Sequence, residues 1–316
     1  DKGRYKIISR KGSYHGATFG VAWLGRSQFM GLDEYEPGPP GMIYAAQPNP
    51  YNCEFGGKSP AECAALCAKD VENLIIQNQP DTVAAFIGEP ITSSLGAVVP
   101  GDKYWPLIRE ICDYYGVVLI DDEVVCGFGR TGKMFASEHW QVKPDITTIA
   151  KALTSGYLPI GAAIASNKIA SAFAGGEEKT FKHLITFGGN PASCAAGIAN
   201  LNIIKSEDLV NNSRQKGNYL YEKLGRLKSH KIVGDIRGGF GLLCAIELVK
   251  DKETKARFSK EANLTGKATE ILSKYKILGR GGDFIPIAPP LCITYDEIDE
   301  FVDTIDFAIK EIEETV

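Results

Sequence analysis

The chain has 316 residues, 44% hydrophobic and 23% charged, enough for one large or two ordinary domains with a sizeable core. A formal net charge of −4 excludes the basic footprint of a nucleic-acid binder. No apolar run reaches the roughly 18 residues that cross a bilayer, and the first residues carry no signal-peptide core, so the sequence reads as chain entered mid-domain.

In chain order, apolar β-rich runs predict strands near Tyr5–Ser9, Thr82–Ile87, Val117–Ile120, Ile146–Ile149 and Gly161–Ala165. Between them, apolar residues recurring at three and four predict helices over Pro60–Gln77 and Tyr104–Tyr115. Strand–helix–strand order implies an α/β fold, a mostly parallel sheet with helices on its faces. Gly- and Pro-rich stretches at Gly38–Gly41 and Gly96–Gly101 read as loops. After Pro191 the texture changes. Helices are expected over Ala192–Ile204 and Asp208–Leu227, then two antiparallel strands around a glycine turn in "KIVGDIRGGFGLLCAIELV". Two further helices, Lys260–Tyr275 and Tyr295–Thr315, flank "ILGRGGDFIPIAPPLCI", which reads as a separator. The expected division is a large domain over residues 1–210 and a smaller α+β domain over 211–316.

The eight cysteines are scattered and form no C-x-x-C pair. Cys63 and Cys67 share a helix face, but no histidine or further cysteine lies near them in sequence to complete a zinc site. Reduced, mostly buried thiols in a cytosolic protein are expected, and no metal. Gly127–Gly132 fits G-x-G-x-x-G, and Gly127 with Gly132–Lys133 nearly makes a Walker A loop. Neither reading holds. No helix with an apolar stripe follows, no acidic residue ends a next strand, and Met134 stands where Mg²⁺ needs a hydroxyl.

The chemistry concentrates at two strand ends. Asp122 ends the run "GVVLIDD" with Asp121 and Glu123 beside it, and Lys151 follows the run "DITTIA". In an open α/β sheet such carboxyl ends are where ligands bind. Small and apolar neighbours around Lys151 predict burial, which lowers an amine pKa and leaves a nucleophile. The acidic cluster should raise carboxylate pKa values unless a cation compensates. An amine and a carboxylate so placed suit pyridoxal phosphate, which needs a Schiff-base amine and an anion for its ring nitrogen.

The strings "DDEVVCGFGRTG" and "PDITTIAKALTSGYLPIGA" closely resemble the class III, fold type I, aminotransferases. "SYHGATFG", "FIGEPI", "TFGGNPASCAAG", "VGDIRGGFGLLCAIELV" and "APPLCIT" follow the same family order across nearly the whole chain. The resemblance implies a pyridoxal-phosphate enzyme of that fold, a large domain plus a smaller C-terminal one. It implies Lys151 as the Schiff-base lysine, which also moves the proton in amino transfer, and Asp122 as partner of the ring nitrogen. Tyr14 and Val124 correspond to residues on the two ring faces, and His15 and Glu89 to residues near the cofactor. Thr186 resembles a threonine reaching the cofactor phosphate of a neighbouring subunit, which implies a homodimer, or a tetramer built from it. Arg130 and Arg237 match family arginines for which a structural role weighs at least as much as substrate contact.

Departures narrow the implied branch. Ser94 stands where members using 2-oxoglutarate carry a second glutamate, and Pro286 where they carry an arginine. Both losses point to transfer from an ω-amino acid or amine to pyruvate. Arg280, one position displaced from that branch's mobile arginine, is the implied carboxylate clamp. Ala152 replaces the glycine after the lysine without expected consequence. Related decarboxylases and aminomutases share the same pair, and a catalytically silent remnant is a third reading. Family chains carry well over a hundred residues before "SYHG", including a phosphate-binding turn at a helix N-terminus. The chain is therefore expected to be N-terminally incomplete and, alone, to hold the cofactor weakly.

Overall fold

A computed structural model of the chain describes residues 3–27 and 30–316. Two compact units emerge: Asp1–Ser94, Pro100–Phe128 and Phe135–Glu207 form one, and Leu95–Val99, Gly129–Met134 and Asp208–Val316 the other.

The first unit holds β1 (Lys6–Arg10), α1 (Phe19–Gly25), β2 (Met42–Ala45), α2 (Pro60–Gln77), β3 (Val83–Gly88), α3 (Tyr104–Tyr115) and β4 (Val118–Asp122). It continues with β5 (Ile146–Ile149), β6 (Ala162–Ala165), α4 (Asn167–Ala170) and α5 (Pro191–Ser206). The sheet order is β2-β1-β3-β4-β5-β6. Its first five strands run parallel and β6 antiparallel to β5. The expected strands appear within a residue or so of their predicted ends. Three elements were not anticipated, β2, the seven-residue α1 and the four-residue α4. β2 is a four-residue edge strand, too short to show a period, and only its register with β1 (Ile7 opposite Met42) makes it a strand.

The two long helices follow from local chemistry. Ser59 caps α2 by accepting the Glu62 N–H, and Pro60 occupies the first turn, where its missing donor costs nothing. The face Cys63, Cys67, Val71 and Ile75 is buried. α3 buries Tyr104, Trp105, Ile108 and Cys112, and Gly116 ends it in a left-handed conformation (φ 66°) that favours glycine.

In the second unit, α6 (Leu209–Leu224), α7 (Leu264–Lys274) and α8 (Tyr295–Thr315) accompany an antiparallel sheet of β7 (Val233–Phe240), β8 (Leu243–Leu248) and β9 (Phe284–Ile287). The hairpin around the glycines is as expected. β9 corrects the separator reading: its Pro286 argued against a strand, but β9 lies at a sheet edge, where a missing donor is tolerated. The helix expected from Lys260 starts at Leu264, after a short 3₁₀ turn that ends at Asn263 (φ 49°). α8 is capped reciprocally by Thr294 and Glu297. It buries Ile298, Val302, Ile305, Ile309 and Ile312, each worth about 2 kcal/mol of transfer free energy.

Candidate active site

Because β1, β3, β4 and β5 are parallel, their C-terminal ends open onto one edge. The chain runs from β1 to β2 on one side and returns to β3 on the other, so the order reverses between β1 and β3. Such a reversal leaves a crevice at the carboxyl ends of the strands. Four consecutive strands deliver the predicted residues there. Tyr14 and His15 follow β1, Glu89 follows β3, Asp122 ends β4 and Lys151 follows β5. Asp122 is in register with Thr148, so Lys151 stands three residues past its partner, a reach of about 10 Å.

Asp122 is buried and oriented. His15 Nδ1 lies 2.6 Å from its Oδ2, and the Val124 N–H donates to Oδ1 at 3.1 Å. A carboxylate only accepts, so the imidazole carries its proton on Nδ1. His15 is thus a partner of the aspartate. The adjacent position in "SYHG" gave no sign of that contact. The flanking acids behave differently. Burial holds the Asp121 carboxyl well above the usual carboxylate range, and the neighbouring Glu123 charge adds to this. Burial also raises Glu123, against the N–H groups of Ser137 and Ala136 that lower it. The expected like-charge stress therefore falls on Asp121 and Glu123, whereas Asp122 has His15.

Glu89, also buried, accepts from Ser93 N (2.9 Å), Ser93 Oγ (2.8 Å), Ser94 Oγ (3.0 Å) and the Tyr14 N–H (3.5 Å). It braces the backbone beneath the Tyr14 ring, which is 37% exposed. Gln47, overlooked in the sequence, ties the same loop from below. Its amide donates to Lys11 O (2.9 Å) and Ser13 Oγ (3.0 Å), and its carbonyl accepts from Thr92 Oγ1 (3.1 Å). Nothing in the spacing signalled it, because its partners lie more than thirty residues away.

The expectation of a buried lysine is corrected. Lys151 is exposed, at φ 39° in a 3₁₀ turn, so the argument from burial does not apply to it. The reason is geometric: the turn carries the side chain off the sheet edge instead of into the core. Thr186 is exposed, and no hydrogen bond joins it to these residues. Val124 is half-buried. Arg280 is exposed in the second unit. Arg237 is buried there against Glu247, which also meets Arg257 at 2.5 Å, and Arg130 Nη1 donates to the carbonyls of Leu242 (3.0 Å) and Pro289 (2.6 Å). Both arginines therefore hold structure. No α-helix opens at Gly127–Gly132; a 3₁₀ turn begins only at Ala136. Among the cysteines, Cys53 folds back onto Cys63 and Cys67, so the expectation that no further cysteine joins this pair is overturned.

The residues fit pyridoxal phosphate. Asp122 is a buried anion with acceptor capacity left after His15 and Val124, as a protonated ring nitrogen requires. Lys151 offers an amine with no ion pair among the described residues.

The family profile "Aminotransferase class-III" matches residues 1–309. An uncharacterised aminotransferase of Bacillus subtilis is 38% identical over 99% of this chain and 69% of its own length. Putrescine–pyruvate aminotransferase of Pseudomonas aeruginosa is 38% identical over 94% of this chain and 64% of its own length. The chain thus spans about two thirds of the length of these relatives. An amine transaminase from an uncultivated Pseudomonas species, solved with pyridoxal phosphate bound, superposes with a TM-score of 0.93 at 34% identity, covering 98% of this chain and 70% of that one. The chain belongs to the class III aminotransferases, pyridoxal-phosphate enzymes of fold type I.

Proposed function

We propose that this chain carries the reacting centre of an aminotransferase that moves an amino group from an ω-amino acid or amine to pyruvate. The observation that carries the reading is the delivery of Asp122 and Lys151 by adjacent parallel strands to one sheet edge. When bound, pyridoxal phosphate supplies an aldehyde that captures amines and a cationic ring that draws in carbanion charge. Asp122, held by His15, keeps a proton on the ring nitrogen. Tyr14 and Val124 flank the ring, with Glu89 fixing the Tyr14 backbone. Lys151 would hold the cofactor through its aldehyde. Its amine, when free, would move a proton between substrate Cα and cofactor C4′, as general acid–base work demands.

Ser94 supports pyruvate as acceptor. Its hydroxyl is already committed to Glu89, so this position offers no second carboxylate to engage a substrate-binding arginine. The Pseudomonas relative is a putrescine–pyruvate enzyme by name. A homodimer is supported by the exposed apolar side chains Tyr157, Leu184 and Phe187, and in it Thr186, also exposed, would reach a neighbouring copy's phosphate. Eight free cysteines suit a reducing compartment such as the cytoplasm.

The test is product analysis with a diamine and pyruvate. Alanine should form, and Lys151→Ala should lower the rate by about a thousandfold or more, the loss of its acid–base work alone being about a hundred- to ten-thousandfold. Carbon dioxide release without alanine, when an α-amino acid replaces the diamine, would assign a decarboxylase instead. No product of either kind, with no cofactor absorbance, would leave only the fold.

A further inference from the structure

In the first unit, three thiols from two segments meet away from the strand ends. Cys63 and Cys67 lie on consecutive turns of α2 with their sulfurs 4.0 Å apart. Cys53 comes from the loop before α2, and all three Sγ atoms lie within 4.8 Å of one another. The loop is built for this approach. A Cβ at Gly57 would stand 2.8 Å from the Cys63 nitrogen and 3.2 Å from the Cys53 sulfur, so only glycine lets the chain pass. Cys63 and Cys67 are buried and Cys53 is half-buried, which leaves one side for entry.

We propose that Cys53, Cys63 and Cys67 form a three-thiolate binding site for a soft d¹⁰ metal ion, Cu(I) in particular. A metal–sulfur bond of about 2.3 Å in a trigonal plane puts sulfurs about 4.0 Å apart, the spacing Cys63 and Cys67 already have. Cys53 has only to close by under about an ångström. No histidine or carboxylate completes a fourth position among the described residues. Zinc favours four donors, whereas thiolate-only sets select soft ions such as Cu(I). Binding expels the thiol protons to solvent as the sulfurs become ligands.

Arg10 is fully buried, and its Nε and Nη1 have no hydrogen-bond partner among the described residues. Its guanidinium lies 5.9 Å from the ring centre of Tyr104, whose phenol feels both Arg10 and Cys67. Without metal, the hydrogen bond to Cys67 and burial hold the Cys63 thiol above its ordinary range. The Cys67 thiol then donates to Gln47 O at 3.5 Å. Gln47 in turn braces Ser13, so the cluster sits directly beneath the Tyr14 loop.

The test offers Cu(I) anaerobically to the reduced protein from a bicinchoninate complex, so that isolated thiols cannot compete. One equivalent should be taken up, with X-ray absorption showing three sulfurs at about 2.3 Å. Cys53→Ser, Cys63→Ser and Cys67→Ser should each weaken uptake at least tenfold, while Cys112→Ser and Cys194→Ser should not. Cys53→Ser alters a half-buried loop residue and keeps the test open if the α2 variants fail to fold. Absence of uptake, or uptake unchanged in Cys53→Ser, overturns the assignment.

Discussion

Three consecutive acids end β4, and their environments separate them. Asp122 has a buried histidine and a backbone N–H. Asp121 has neither, and both its oxygens lack a partner among the described residues. With its folded pKa raised by burial, Asp121 keeps its proton in the folded state while the unfolded chain releases it above about pH 3.8. Between those two values the folded state binds more protons, so stability falls as pH rises, until the folded group also ionises. Asp121→Asn removes this penalty without changing shape. It should stabilise the protein at pH 8, with the gain vanishing near pH 4, as read from urea midpoints across that range. A gain independent of pH would place the effect elsewhere. The raised carboxyl pKa was legible in "DDE", but not which acid bears it, because side-chain alternation along a strand says which faces differ but not which face has a histidine over it.

Among elements, those with a strong local signal were legible. α2 and α8 carry caps, a first-turn proline or a capping box, and an unbroken apolar stripe, and their ends match the expectation. β2 and β9 were missed because each is a four-residue edge strand defined by its neighbour's hydrogen bonds. α6 shows the opposite lesson, in which propensity misleads. Helix propensity favours alanine over Gly217 by about 1 kcal/mol. Yet a Cβ there would meet the Gly241 carbonyl carbon and oxygen at 2.1 Å. Gly217→Ala should therefore lose about 2 kcal/mol net, seen as a lowered Tm, while Gly225→Ala, with nothing within 4 Å, should change little. Equal behaviour of the two variants would mean the Gly241 backbone yields freely.

At the scale of the whole molecule, one stretch of the first unit stays uncovered. Leu184 is 96% exposed and Phe187 80%, and Ile164 on β6 is also exposed. Exposed apolar side chains of this kind suit a surface that another chain covers. If a second copy covers it, the protein should sediment as a dimer or larger, and Leu184→Asp with Phe187→Asp should shift it towards monomer. A wild-type chain that sediments as monomer at micromolar concentration would remove the dimer reading.

The sequence by itself determined the α/β order, the long helices and the identity of Asp122 and Lys151, because local periodicity and motif spacing are properties of contiguous residues. Only the tertiary structure decided that His15 serves Asp122, that Glu89 and Gln47 brace the Tyr14 loop, that Lys151 is exposed, and that Cys53 completes a thiol cluster. Each of these joins residues from different strands or loops. Their proximity is set by strand order and register, which no window along the chain contains.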